Sequence, residues 1–458
     1  MKILWLAKVR RGGKYLFDLL ATDRIKRNIL QALPFWVASL VTGLVAVGYT
    51  KLFGYSENLL HSILHWKQWM IFIVTPVCFF IAWGMVQLFA PNARGSGIPQ
   101  VMAAIDLATP KHNNKIKNLL SFPILFTKIG SSLMMVMGGG AIGREGPTIQ
   151  VAGSIFRIIQ KWIPASWPRL SKQSFILTGA AAGLAAAFNT PLGGVVFAME
   201  ELAKVHVRFF RTALFSAVII SGLTAQGLLG PYLYLGYPDV KNLQVWILLG
   251  VAATAIISGM AGSLMCLLIL KMMRWKATFN NFQSFVFVIL AGLFIASVAY
   301  FINDQVLGSG KDLMNHVLFT QDKNASWDTA LLRIIGPIIC FNTGAAGGIF
   351  APSLTAGASI GALFSQVFHY VDSNANILIL CGMVGFLTGV TRTPFTSAIL
   401  VLEMTDRHSV IFHLMLAALI SHIAALVVDK HSFYEQLKKG YIEQEMKESD
   451  HQKETQTQ

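Results

Sequence analysis

Only four glutamates lie between Glu57 and Glu435 in this chain: Glu145, Glu200, Glu201 and Glu403. An ionisable group in an apolar, membrane-like stretch is costly, so each is a candidate for function. A buried carboxyl can be tuned to take up and release protons. Three glycine-rich segments supply a second kind of chemistry: Gly95-Ser96-Gly97-Ile98-Pro99, Gly143-Arg144-Glu145-Gly146-Pro147 and Gly347-Gly348-Ile349-Phe350-Ala351-Pro352. Proline suits the first turn of a helix, where its missing N–H would have had no partner, and glycine lets backbone approach a ligand closely. Each segment therefore predicts a helix N-terminus with free N–H groups. Such an end carries about half a positive elementary charge and can hold an anion. A full lysine or arginine charge would hold a small anion too tightly for rapid turnover, whereas partial charges permit binding and release.

The elements that must position these groups are membrane helices. Of the 458 residues 54% are hydrophobic and 13% charged, with a mean hydropathy of +0.57. A soluble domain carries roughly 25% charge, so lipid is the expected solvent. Apolar stretches near the roughly 20 residues that span a bilayer recur: Ile29–Thr50, Trp69–Ala90, Phe209–Leu229, Val245–Leu270, Phe285–Phe301 and Val410–Val428. Three more, Leu119–Met137, Phe175–Met199 and Ile334–Phe364, are interrupted by Gly, Pro, Asn or Thr. Broken helices are tolerated in a membrane only where freed backbone is buried in protein or faces a polar cavity. The transport site is expected there.

The net charge of +15 does not require nucleic acid. Lys2, Lys8, Arg10, Arg11, Lys14, Arg24, Lys26 and Arg27 directly precede the first apolar span, the arrangement of a cytoplasmic N-terminus under the positive-inside rule. No cleavable leader is expected, because the apolar run Ile3–Ala7 is shorter than the roughly 7–15 residues of such a region. The four cysteines, Cys78, Cys266, Cys340 and Cys381, have no metal-ligand spacing and read as small core residues. No metal or other cofactor is expected. An intramembrane enzyme has little support, for the chain has no HExxH helix and no GxSxG elbow, and the His61/His65 pair reads as interfacial.

The chain also repeats itself. Gly179, Pro191 and Glu200 are spaced as Gly382, Pro394 and Glu403 are, 12 and 9 positions apart, and both prolines follow threonine. Upstream, residues 143–147 correspond to 348–352, with Phe350 where the first half has Glu145. Asymmetry at a duplicated position marks Glu145 as functional. The equivalent placement of Glu200 and Glu403 points instead to packing, capping or pairing with an internal base. Repeated halves with broken helices at matching positions are the sequence pattern of a secondary transporter, whose site lies at the repeat interface.

Together GSGIP, GREGP and GGIFAP resemble, in their usual order, the three motifs of the CLC family of chloride channels and proton/chloride antiporters. The resemblance runs from about residue 30 to Tyr434. It implies an all-α polytopic homodimer with broken and tilted helices, each subunit having its own anion pathway built from two halves of inverted topology. It implies that chloride is held by the hydroxyls of Ser96 and Tyr434 and by backbone at Gly146, Ile349 and Phe350. It implies that Glu145 is the external gating and proton-transfer carboxylate and Glu201 the internal one. Two positions depart from the family pattern: Gln100 and Met102 stand where many antiporter members carry acids, which leaves Lys128 without its usual partner.

The expected function is thus exchange of chloride for protons across a bacterial inner membrane, with both termini cytoplasmic. A passive chloride channel, or an exporter of fluoride or nitrate on the same fold, is the alternative. Glu145 with Glu201 favours the antiporter, and Ser96 favours chloride. The expected organisation is a basic segment 1–28, a first repeat 29–235, a second repeat 236–437, and a polar, partly disordered tail 438–458.

Overall fold

The computed structural model describes residues 23–456 except 169, 203–210, 231–232, 242–245, 321–322 and 324. Most of the basic N-terminal cluster lies outside the described residues. The architecture is all-α, and two isolated β-bridges, Gly95 with Ala346 and Gly143 with Gly348, supply the extended pairing among the described residues. Eight helices among those residues are long and apolar enough to cross a membrane. Exposed tryptophans sit near helix ends, among them Trp66, Trp69, Trp162, Trp246, Trp275 and Trp327, as expected of aromatic belts at membrane interfaces. His61 and His65 are exposed beside the first of these.

The first half contains α1 (Asp23–Trp66), α2 (Ile71–Phe89), α3 (Ile98–Asp106), α4 (Ile116–Leu119), α5 (Phe122–Met137), α6 (Glu145–Lys161), α7 (Lys172–Phe188), α8 (Pro191–Phe197) and α9 (Arg211–Leu229). Next come α10 (Ile247–Lys276), α11 (Asn281–Phe301), α12 (Lys311–Phe319), α13 (Trp327–Asn342), α14 (Phe350–Val367), α15 (Asp372–Thr391), α16 (Pro394–Thr405), α17 (Ile411–Val428) and α18 (Phe433–Gln456).

Several expected boundaries move for identifiable reasons. Helix α1 continues past Thr50 to Trp66, about 65 Å in all at 1.5 Å per residue. Its far end is held where the Glu57 carboxylate accepts the Ser309 N–H at 3.0 Å. Helix α11 starts at Asn281 rather than Phe285, because Asn280 and Gln283 form a reciprocal capping box that satisfies two otherwise unpaired donors. The last helix, α18, runs to Gln456 within the described residues. Its polar residues find partners about 350 positions away. Glu445 accepts from Asn92 at 3.1 Å and Asn118 at 2.9 Å, while Lys438 pairs with Asp106 at 3.0 Å.

The centre of the molecule is α15, which is buried almost along its whole length. A helix that is small and apolar all round fits such a place. Its neighbours approach to backbone contact. A Cβ at Gly357 of α14 would fall on the carbonyl oxygen of Gly382 in α15, and one at Gly382 on that of Gly357. Close approach through small residues, rather than hydrophobic collapse, is what holds helices together in lipid. The four cysteines are buried free thiols.

The interrupted segments are broken helices. After α7 the chain turns at Asn189, with φ 57°, before Thr190 and Pro191 open α8. After α15 it turns at Arg392, with φ 65°, before Thr393 and Pro394 open α16. Across these breaks the halves are tied together. Glu200 accepts the N–H groups of Phe395 at 3.2 Å and Thr396 at 2.6 Å, at the start of α16. Glu403 accepts those of Leu192 at 3.0 Å and Gly193 at 2.8 Å, at the start of α8. Each glutamate thus caps the helix that carries the other, placing a negative charge at the positive end of a helix dipole.

Candidate functional site

The three glycine-rich segments, separated by up to 250 positions, meet in the interior. Gly95 donates to Ala345 at 2.9 Å and accepts from Gly347 at 3.0 Å, while Gly143 and Gly348 exchange both backbone hydrogen bonds at 2.7 Å. This pairing fixes the loops so that α3, α6 and α14 begin beside one another. Their prolines, Pro99, Pro147 and Pro352, all fall in the first turn, as the motifs predicted.

The predicted residues gather around this junction. Ser96, Glu145, Ile349, Phe350 and Tyr434 are almost fully buried. The hydroxyls of Tyr434 and Ser96 are neighbours that face each other, and both are buried with no well-formed hydrogen bond to any other group among the described residues. Two buried hydroxyls of this kind are costly unless something accepts from them, which is the donor set of an anion site. Gly146 is required here, because a Cβ on it would collide with the Ser96 hydroxyl. The α6 N-terminus can approach Ser96 only without a side chain.

Glu145 does not point away from this junction. Its Oε2 lies beside the backbone of Gly143 with the backbone of Ala351 close by, and it makes no hydrogen bond among the described residues, so the carboxylate sits near the N-terminal turn of α14 as well as on its own helix. Its Oε1 is 4.0 Å from the Arg144 guanidinium. The carboxylate therefore occupies a place whose backbone dipoles favour negative charge.

Glu201 is buried but separate. It lies in a π-helical turn, Ala198–Leu202, that continues α8. Widened turns of this kind re-aim side chains and recur at functional sites. Phe197, just before that turn, packs edge-on against Phe350 at 6.2 Å. Phe350 in turn stacks on Tyr434 at 6.4 Å, so a chain of aromatic contacts joins the start of the turn that carries Glu201 to the Ser96 junction.

Two sets of contacts were not foreseen from the sequence. Tyr234 is buried, donates its phenol to Glu145 Oε1 at 3.4 Å and packs edge-on against Phe188 at 5.1 Å. The Lys311 ammonium sits 4.9 Å over its ring. No motif surrounds Tyr234, so only its aromatic character in a loop could have marked it. Lys128 has the other surprise. Lacking an acid at position 102, where Met102 is buried in the core, its ammonium donates to the carbonyls of Ala93 at 2.9 Å and Gly95 at 2.7 Å. It thereby braces the turn that presents Ser96. Gln100 does similar work, donating to Arg94 O at 2.7 Å and Tyr441 OH at 2.9 Å.

On one side of Ser96 a pocket of ≈ 400 Å³ opens, with Arg94, Gln100, Lys276 and Tyr441 in its wall. Lys276 donates to the carbonyls of Asn342 and Thr343 at 2.6 and 2.8 Å. The junction thus has a basic antechamber at the end of the molecule where α18 lies.

Broken helices that converge their N-termini on buried hydroxyls, inside a bundle of spanning helices, define a multi-pass membrane protein of the ion-transporting kind. The family of voltage gated chloride channels matches residues 78–426, and the chain belongs to that family. Relatives named H(+)/Cl(-) exchange transporter ClcA are similar along most of their length. That of Citrobacter koseri is 28% identical over 89% of this chain and 88% of its own, and that of Salmonella arizonae 29% over the same shares. Among solved structures, a slow cyanobacterial Cl-/H+ antiporter shares the fold with a TM-score of 0.79 at 23% identity, covering 90% of this chain and 98% of its own. A CLC-type fluoride/proton antiporter gives 0.72 at 19%, with the same coverage.

Proposed function

We propose that this protein exchanges chloride for protons, with the anion bound at the N-termini of α3, α6 and α14 and gated by Glu145. The observation that carries the reading is the position of the Glu145 carboxylate. It lies beside the N-terminal backbone of α6 and α14, whose dipoles would favour a chloride ion equally well, so carboxylate and anion compete for one place. Protonation removes the carboxylate's charge and with it the attraction to the helix ends. The side chain then yields to chloride, and the proton it has taken up is the one exchanged.

In this reading Ser96 and Tyr434 donate their hydroxyls to the central anion, and the N–H groups of Ile349 and Phe350 complete its shell. Gly146 lends backbone to the same shell. Glu201 passes protons to the cytoplasm by a route that leaves the anion path near Phe350. Arg144 and Lys311 raise the local chloride concentration on the side of Glu145, and Arg94 and Lys276 do so on the side of Ser96. The two repeats, 29–235 and 236–437, meet at the site. The protein works as a homodimer in a bacterial inner membrane, with both termini cytoplasmic.

A passive channel would need neither a second buried acid nor a separate route to it, and the burial of Glu201 favours exchange. The Ser96 hydroxyl supports chloride over fluoride or nitrate, because it adds a donor suited to a spherical anion of that size. The reversal potential of membrane currents under a pH gradient tests the reading. A potential that follows the proton gradient supports exchange, and one that follows chloride alone excludes it.

A further inference from the structure

At the end of the molecule where α1 begins, far along the chain from the anion junction, a second pocket of ≈ 590 Å³ lies between the last turn of α6, the segment leading into α4, and the connection from α6 to α7. Four basic side chains, Lys117, Arg157, Lys161 and Lys172, are in its wall, and no acidic side chain is among its lining residues. They are close enough for Lys161 to feel the charge of the other three. The three lysines are exposed. Arg157 is half-buried and fixed by donation to the Leu120 carbonyl at 2.7 Å. Like charges gathered around a concave space repel one another, and an anion within it relieves that repulsion.

A second observation identifies the kind of anion. Directly adjoining the basic pocket is a groove of ≈ 370 Å³ lined by apolar side chains, including Leu33, Val37 and Val41 of α1, Phe122 of α5, and Ile155 and Trp162 of α6. The two spaces share Ile163, Pro164 and Trp167 as a common wall. Helix α1, and α4 with α5 taken as one span, are long enough and apolar enough to cross the membrane, so the groove runs along a lipid-facing surface. Polar water-soluble anions gain nothing from such a groove, whereas an acyl chain does. Trp167 stands where the two spaces meet and Trp162 lines the groove beside it, the depth at which tryptophan collects at a membrane interface.

We propose that Lys117, Arg157, Lys161 and Lys172, with the adjoining groove, bind an anionic phospholipid, its phosphate in the basic pocket and an acyl chain against α1, α5 and α6. The site lies outside the anion pathway, so it sets how the protein is seated in, and responds to, the charge of its bilayer. An arginine fixed by a backbone carbonyl beside three mobile lysines suits a phosphodiester: a fixed donor orients it and the lysines add charge.

The test uses delipidated full-length protein in neutral detergent, titrated with phosphatidylglycerol or with phosphatidylcholine of the same acyl chains and followed by native mass spectrometry. Phosphatidylglycerol should bind at least about ten-fold tighter, a preference set by the lysines near the headgroup. In the triple variant Lys117→Gln/Lys161→Gln/Lys172→Gln the preference should fall to near unity. Val37→Trp, at an exposed position that fills the groove, should weaken both lipids while the preference for phosphatidylglycerol persists. None of these residues belongs to the anion site, so chloride flux in phosphatidylcholine liposomes should match wild type and report intact folding. If the triple variant does not fold, single lysine replacements should each reduce the preference about two-fold. An unchanged preference in the lysine variants would overturn the proposal. So would displacement of the lipid by millimolar glycerol phosphate together with an inert Val37→Trp, which would make this a site for soluble phosphate.

Discussion

The phenol of Tyr234 donates to Oε1 of Glu145 at 3.4 Å, across 89 positions of sequence. The bond is long for O–H···O, so its contribution is modest. On the proposed reading, it helps hold the carboxylate in the place that the anion would take. Tyr234→Phe keeps the ring packed on Phe188 and under Lys311 but removes the donor. Chloride flux should rise about three-fold at neutral pH, in line with the loss of one weak hydrogen bond. The same replacement made in a Glu145→Gln background should change nothing, since the charge that the phenol holds is gone. An equal effect in both backgrounds would assign Tyr234 to packing alone.

On the proposed reading, Glu145→Gln removes the charge that competes with chloride and the group that carries the proton. Anion flux should persist while proton movement falls to the level of protein-free liposomes. Paired chloride-electrode and pH-electrode recordings check this. Proton transport against its gradient in the variant would show that Glu145 is not the gate.

Ser96→Pro removes a buried hydroxyl that has no well-formed hydrogen bond among the described residues, and that stands at the α3 N-terminus. Nitrate use relative to chloride should increase, by roughly ten-fold for loss of a hydrogen bond to a charged group. The measurement is the ratio of initial efflux rates from liposomes loaded with each anion. A wild-type ratio would place Ser96 outside the anion's coordination shell.

The crossed caps of Glu200 and Glu403 make a prediction about stability rather than transport. Each carboxylate holds two N–H groups of a helix in the other half. Glu403→Ala should destabilise the protein by about 1.5–3 kcal/mol, the range for hydrogen bonds to a charged group. Glu200→Ala should cost a similar amount, and the double variant should lose less than the sum if the two caps act as one joint. Thermal unfolding in detergent, followed by intrinsic fluorescence, reads all three. Glu200→Gln retains an acceptor oxygen and should keep proton coupling.

What the sequence makes legible follows from local chemistry. Glycine and proline in GSGIP, GREGP and GGIFAP announce helix starts because they act on their own backbone, and α3, α6 and α14 begin where those motifs place them. The equal spacing of Glu200 and Glu403 from their prolines exposed their equivalence, but not that each caps the opposite half. Crosswise pairing depends on how α8 meets α16, which no local signal encodes. Tyr234 was hidden for the same reason: its partner Glu145 is distant in sequence, and the intervening loop carries no motif. The helicity of the tail was missed because its polar composition reads as solvated. Its glutamates and lysines instead satisfy Asn92, Asn118 and Asp106 at the end of the membrane core.

Proton and chloride paths must diverge, because a proton on Glu145 cannot otherwise pass the anion on the same path. On the proposed reading Glu201, buried in the turn that follows Phe197, is the second titratable group that such a branch requires. The most direct test of coupling is chloride-driven proton uptake into liposomes, with wild type and Glu201→Gln recorded side by side. A chloride gradient should drive protons uphill in wild type, while Glu201→Gln should carry chloride with little or no proton movement. Chloride flux without uphill protons in wild type would contradict exchange itself.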